Sequence, residues 1–166
     1  SSGDYGAPSS TTCFAGSHKF NQIAYGINRA LNPLQYCIIT PNLFCSGYSS
    51  SPSNTNSPQD GPRFPSVTYY DNINAQDKLI SDHFGITNPL MYLGFSMGAQ
   101  QAFHWGALHG EKTGGIIPLC GTAKTTTQNW ITLEGCKLAL QSDFNYNNGD
   151  YSSPPKKGLK AFSRNY

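Results

Sequence analysis

Charge is scarce in this chain. Asp, Glu, Lys and Arg make up 12% of its 166 residues, against about a quarter in ordinary globular domains. The balance is only +2, and the basic residues are scattered apart from the pair Lys156-Lys157. That excludes the basic stripe needed to bind nucleic acid or an anionic membrane surface, so neither partner is expected. No apolar run is long enough to span a bilayer, and no signal-peptide pattern or Asn-x-Ser/Thr sequon occurs. The five cysteines (Cys13, Cys37, Cys45, Cys120, Cys136) form no CxxC or CxH cluster, so no metal site or redox dithiol is expected. Cys37 and Cys120 lie in apolar runs and read as buried, inert thiols. A reducing, cytoplasmic setting follows as the default. The chain opens on Ser1 rather than Met, so an upstream address stays open.

Ser, Thr, Asn, Gly, Pro and Tyr fill the space that charge leaves, which implies loop-rich walls around a modest core. Residues 1–12 read as irregular. Residues 19–31 carry a weak helical period, and Asn32-Pro33 ends it. Residues 36–40 (Tyr-Cys-Ile-Ile-Thr) are a short continuous apolar run, the mark of a strand buried on both faces. Residues 46–66 form a long Ser/Pro/Asn/Gly loop, of a length more often functional than not. A brief extended piece at 67–70 follows. Asp71 then serves as N-cap for a helix with Ile73, Gln76, Leu79, Ile80 and Phe84 on one face, stopped by Gly85.

Next come a strand at 90–93, a helix at 99–108, a third buried strand at 116–120 and a helix at 131–140. From residue 36 to residue 120 the order is strand, helix, strand, helix, strand. That order implies an α/β fold with a doubly wound, mostly parallel sheet.

Between the 90–93 strand and the helix after it stands Gly94-Phe95-Ser96-Met97-Gly98. A serine flanked two residues away on each side by glycine, between strand and helix, is the nucleophile elbow of α/β-hydrolases. The turn is so tight that side chains at the flanking positions would clash, and it lifts the hydroxyl clear of the sheet. Ser96 is therefore the candidate nucleophile of acyl chemistry through a serine ester. The helix after it aims its partial positive charge at the developing oxyanion. The backbone N–H of Met97 is the expected first oxyanion donor, and that of Phe14, in the glycine-containing segment 12–18, the second.

The general base is harder to place. In this fold the order is Ser, then Asp or Glu, then His. The only histidines after Ser96 are His104 and His109, which lie about 12 and 20 Å along the helix at 1.5 Å per residue. Neither reaches the serine hydroxyl. Asp143 and Asp150 follow in order, but no histidine follows them. His18 precedes the serine and reads better as a pocket-wall residue. The triad cannot be completed from this chain, and a serine without a base is a weak nucleophile.

Beyond the elbow, several motifs together resemble the homoserine O-acetyltransferase family of α/β-hydrolases. They include Pro41-Asn42-Leu43-Phe44, the Ser49–Asn54 stretch, Asp60-Gly61-Pro62-Arg63-Phe64-Pro65, Asp71 with Ala75-Gln76, and the run from Gly94 through Gln101. Leu119-Cys120-Gly121-Thr122-Ala123-Lys124, Leu133-Glu134-Gly135 and Gly158-Leu159-Lys160-Ala161-Phe162 continue the likeness, which is nearest to fungal-type members.

The resemblance implies a partial α/β-hydrolase domain over residues 1–166, with a core at about 13–125 and the start of a helical lid at about 126–166. It implies ping-pong chemistry in which acetyl-CoA, a co-substrate rather than a bound cofactor, acylates Ser96. An alcohol such as homoserine then accepts the acetyl group. Arg63 and the Ser49–Asn54 stretch lie where substrate contacts are plausible.

The chain departs from the family in three respects. Full members are longer and draw their Asp and His from a C-terminal half absent here. Members also begin with apolar strands, whereas residues 7–12 here are polar, and Cys45 stands where a small glycine is expected. Two readings thus remain beside the transferase: an ester hydrolase of the same fold, and a noncatalytic remnant that binds small ligands or another subunit. Homo-oligomerisation stays open, since exposed sheet edges are a liability unless covered.

Overall fold

The computed structural model describes residues 11–15, 24–46 and 48–166, the first of these as backbone only. Four parallel strands form one sheet in the order β2-β1-β3-β4: β1 Thr11–Ala15, β2 Cys37–Ile39, β3 Met91–Phe95 and β4 Ile116–Leu119. β1 pairs with β2 through Thr11 and Cys37, and with β3 through Phe14 and Leu93. β3 pairs with β4 through Leu93 and Ile117. The parallel α/β architecture expected from the strand–helix alternation is the one observed.

β1 corrects the irregular reading at residues 11 and 12, while residues 1–10 lie outside the description. Thr-Thr-Cys-Phe-Ala is too short and polar to announce a strand. It becomes one because β2 and β3 satisfy its backbone on both sides.

The helix expected over 19–31 also needs correction. Residues 19–23 lie outside the description, and from Tyr25 the chain is irregular, with Tyr25 bridging to Leu31. Gly26 at φ 140° and Asn28 at φ 63° are incompatible with a right-handed helix.

Helix α1 (Tyr69–Lys78) connects β2 to β3. Its N-cap is Thr68 rather than Asp71. The Thr68 Oγ1 accepts from the Asp71 N–H at 3.3 Å, and the Asp71 carboxylate accepts from the Thr68 N–H at 2.8 Å. This reciprocal box satisfies two orphan donors, which is why Tyr69 and Tyr70 are helical rather than extended. The helix runs on into a π-helical turn over Leu79–His83 and stops at Gly85, φ 66°. Leu79 and Phe84 face solvent and do not belong to the apolar face, whereas Ile73, Gln76 and Ile80 are buried.

Helix α2 (Met97–His109) connects β3 to β4 and begins two residues before the span read from sequence. Strand alternation splits the core in two. Tyr92 meets Ile39, Ile73, Ile80, Ala102 and Trp105 on the face covered by α1 and α2. Leu93 meets Leu31, Ile38 and Leu119 on the other. Cys37 is half-buried, but Cys120 is exposed at φ 53°, because β4 ends one residue earlier and the chain turns there. The inert-thiol reading therefore fails for Cys120.

Residues 44–66 and 124–166 form a second compact unit. Within the stretch expected at 46–66, residues 48–66 are a set of hydrogen-bonded turns rather than a structureless loop. Ser51, 2% exposed, donates its N–H to Asn54 Oδ1 at 2.8 Å and accepts from Thr55 Oγ1 at 2.8 Å. A 3₁₀ turn at Gly61–Arg63 follows.

Helix α3 (Thr127–Gln141) is capped by Thr126 and starts four residues before the expected 131. It is joined through a 3₁₀ segment, Phe144–Gly149, to α4 (Lys156–Asn165), a helix not anticipated. α4 packs where Gly158 leaves no room for a side chain: a Cβ there would stand 2.5 Å from the Leu140 carbonyl oxygen. Among the described residues no helix is long and apolar enough to cross a membrane.

Candidate active site

Sheet order decides where chemistry can sit. The connection leaving β1 goes to β2 on one side, and the connection leaving β3 goes to β4 on the other. Ligands of open α/β sheets bind at this kind of reversal, outside the carboxyl ends of the two strands. Ala15 at the end of β1 pairs with Gly94 near the end of β3. Ser96 follows β3 immediately and therefore stands at the reversal.

Its backbone is strained in the manner the motif requires. Ser96 has φ 55° and ψ −114°, a region that L-residues rarely occupy. The conformation is held from several sides. The Ser96 N–H donates to the Leu119 carbonyl at 2.9 Å, and its own carbonyl accepts from Ala99 N at 2.9 Å and Gln100 N at 3.3 Å.

A Cβ on Gly94 would lie 1.9 Å from the Gly98 carbonyl oxygen, so only glycine permits β3 and α2 to close the bend. Gly121, after β4, is a second such position and one the motif does not name. A Cβ there would stand 2.6 Å from the Ser96 carbonyl oxygen.

Ser96 occupies the N-cap position of α2, yet its side chain caps nothing and is exposed. The hydroxyl is thus free of the helix it precedes. Met97 is the first residue of α2, so its N–H has no acceptor within the helix and sits at the positive end of the helix dipole. That is the donor an oxyanion would need. Phe14 is the penultimate residue of β1, opposite Leu93. The segment after β1, residues 16–23, including His18, lies outside the described residues.

The remaining histidines are committed elsewhere. The His104 Nδ1 lies 2.8 Å from the Gln100 carbonyl, and its ring packs 5.0 Å from that of Tyr69. Tyr69 in turn donates its hydroxyl to Gln100 Oε1, and burial pushes its pKa above the usual phenol value. The His109 ring packs 5.0 Å from Trp105. His83 precedes the sheet strand and packs edge-on against Phe84.

Arg63 lies in the second compact unit, where its guanidinium binds Asp60 through two hydrogen bonds of 3.0 Å and Asp150 through one of 3.3 Å. Hydrogen bonds to Asp60 and then Asp150 raise its pKa further above the ordinary arginine value. The first of those bonds also lowers the pKa of Asp60. Cys45, also in this unit, holds φ 68°, the left-handed backbone that glycine adopts freely.

Sequence reasoning passed over one further cluster, between α1, β3 and α2. Gln76, Tyr92, Gln101 and Trp105 are all buried and joined by hydrogen bonds. The only hint was a glutamine on an otherwise apolar helix face.

A family profile described as "alpha/beta hydrolase fold" matches residues 12–152. The ethyl acetate hydrolase of Pseudomonas veronii is 35% identical over 156 residues, covering 92% of this chain and 45% of that protein. A homoserine O-acetyltransferase of Trichlorobacter lovleyi is 31% identical over 138 residues, covering 81% of this chain and 37% of that protein. The crystal structure of an acetylester hydrolase from Corynebacterium glutamicum superposes with a TM-score of 0.87 at 32% identity, over 93% of this chain and 47% of that one. The chain thus spans less than half the length of these relatives.

Proposed function

Since this chain belongs to the α/β-hydrolase fold family, we propose that Ser96 is the nucleophile of acyl chemistry on acetyl esters. The observation that carries the reading is the exposed Ser96 on a positive-φ backbone between β3 and α2, with the Met97 N–H at the first position of that helix beside it. The hydroxyl oxygen attacks the acyl carbon, the alkoxy group leaves with a proton, and the acetyl group rests on Ser96 as an ester. Met97 N–H, with a second amide at or after Phe14, stabilises the tetrahedral oxyanion. His104 and His109 lie about 12 and 20 Å along α2, so this reading takes the base that removes the serine proton from outside the described residues. An acetyl cargo is the chemistry shared by the names of all three relatives.

Two acceptors complete the reaction, and each has support. Water makes the protein an esterase, which agrees with the hydrolases at 35% and 32% identity. An alcohol makes it a transferase of the homoserine O-acetyltransferase branch, with acetyl-CoA as donor. That reading agrees with the motifs around Pro41-Asn42, Asp60-Gly61-Pro62-Arg63 and the elbow, and with acetyltransferase relatives at 31% to 36% identity. Arg63 enters this reading only as a residue that shapes the second unit, its guanidinium being held by Asp60 and Asp150.

Incubation with p-nitrophenyl acetate or acetyl-CoA, followed by peptide mass spectrometry, tests the nucleophile. Once the base is supplied from outside the described residues, one acetyl group on the Ser96 peptide is expected, and none in Ser96→Ala. Acetyl found only on other residues refutes the assignment. With homoserine present, release of free acetate alone identifies the esterase, and acetylated homoserine the transferase.

A further inference from the structure

Gln76 sits on α1, far from Ser96 in sequence, yet its amide bonds to both the strand before the elbow and the helix after it. The Tyr92 hydroxyl, on the strand entering the turn, donates to Gln76 Oε1 at 2.7 Å. Trp105 Nε1–H, on the helix leaving it, donates to the same oxygen at 3.1 Å. Gln76 Nε2–H donates to Gln101 Oε1, on that same helix, at 3.0 Å. Gln76 is 4% exposed, and the other three are fully buried. Tyr92 and Trp105 also stack, their ring centres 5.2 Å apart.

The orientation of each amide is forced. An indole N–H can only donate, so Gln76 must turn its oxygen toward Trp105. Its nitrogen then faces Gln101, which must present its own oxygen. Gln101 Nε2 is left buried with no partner among the described residues. An unmade buried bond is costly, so this arrangement is not the one that polar satisfaction alone would choose. The geometry it secures is the fixed placement of β3 against α2. Ser96 needs that placement, because a backbone at φ 55°, ψ −114° persists only where its surroundings over-determine it.

We propose that Gln76 is a positioning residue for the reaction at Ser96: its buried amide clamps the strand before the elbow to the helix after it and so holds the serine in its strained backbone. The proposal rests on Ser96 being the nucleophile, but the clamp itself can be read without catalysis.

The test uses the intact chain with Gln76→Met, which keeps side-chain length and removes all three hydrogen bonds. Tyr92→Phe removes one of them and is the fallback should Gln76→Met fail to fold. Ile80→Val trims the same core without touching the amide and serves as the control.

Native-state hydrogen exchange is read at the amides of Ser96, Ala99 and Gln100. In Gln76→Met these should exchange on the order of 10-fold faster, relative to β2 and α3 amides, through local opening of the elbow. Tyr92→Phe should give a smaller rise of the same pattern, and Ile80→Val none. Unchanged exchange at these three amides, or a rise shared equally by the whole sheet, overturns the clamp.

A second readout is covalent modification by a fluorophosphonate. Its limiting rate should fall roughly 10-fold in Gln76→Met, with the half-saturating concentration unchanged, as expected when orientation rather than binding is lost. If wild-type Ser96 is not modified, the nucleophile reading fails while the exchange data still decide the clamp.

Discussion

Replacing Gly94 with alanine probes the close approach of β3 and α2 most directly. The new Cβ would stand 1.9 Å from the Gly98 carbonyl oxygen, 2.2 Å from its carbon and 2.8 Å from Ala99 N. Ordinary van der Waals separation requires a retreat of about 1.5 Å. All three obstacles are backbone atoms of the first turn of α2, so no rotamer change relieves the clash. The helix must shift or the strand must bend, and either breaks the bonds that hold Ser96.

Overpacking a core typically costs about 1–3 kcal/mol, and a purely backbone clash belongs at or above the top of that range. At roughly 1–3 kcal/mol per molar urea for small proteins, the unfolding midpoint should fall by more than about 1 M. Trp105, fully buried, is a fluorescence reporter of this transition.

Gly85→Ala is the matched control. Gly85 has φ 66° but nothing within 4 Å of a Cβ, so it carries only the left-handed backbone cost of about 1–2 kcal/mol. A Gly94→Ala variant as stable as wild type to within about 0.5 kcal/mol would refute the close approach and the elbow with it.

Three other outcomes follow from particular residues. Gly135 lies inside α3 with open space around it, so Gly135→Ala should raise stability by about 0.5–1 kcal/mol in urea titration. Ser96→Gly should stabilise the fold by about 1 kcal/mol while abolishing acetylation at position 96, since glycine relieves the φ 55° strain.

The carboxyls of Asp60, Asp71 and Asp143 titrate below the ordinary 3.8 because Arg63, Thr68 and the Gly158 N–H, respectively, hold the ionised form. Each folded pKa lies below its unfolded value, so the unfolded chain takes up protons first. Stability present above pH 3.8 should therefore drain away as pH falls through the lowered values. Urea midpoints measured from neutral to acidic pH check this, and Asp71→Asn should flatten the slope.

The local features of the candidate site were legible in the chain because their constraints are local. Gly94 and Gly98 flank Ser96 at the spacing a strand-to-helix bend demands, and the apolar runs at 90–93 and 116–120 bracket it. Observed strands β3 and β4 shift those bounds by a residue or so, as hydrogen-bond pairing rather than apolarity sets where a ladder ends. The capping box at Thr68 was also readable, yet the nearer acidic residue drew attention, though a Thr three residues before an Asp satisfies two donors where Asp71 alone satisfies one. β1 escaped notice because nothing in Thr-Thr-Cys-Phe-Ala is periodic over enough residues to outweigh its polarity.

What the sequence by itself determined is the strand-to-helix bend that carries Ser96, since a glycine two residues to either side acts within one turn of backbone. Tertiary structure alone decided which side chains brace that bend and which are spent elsewhere. Gln76 reads as one more residue on a helix face until β3 and α2 bring Tyr92, Gln101 and Trp105 around it. Arg63 reads as a candidate substrate contact until Asp60 and Asp150 enclose it. A hydrogen bond between groups distant in the chain exists only once the fold has met the entropy of bringing them together, and no local pattern of residues carries that information.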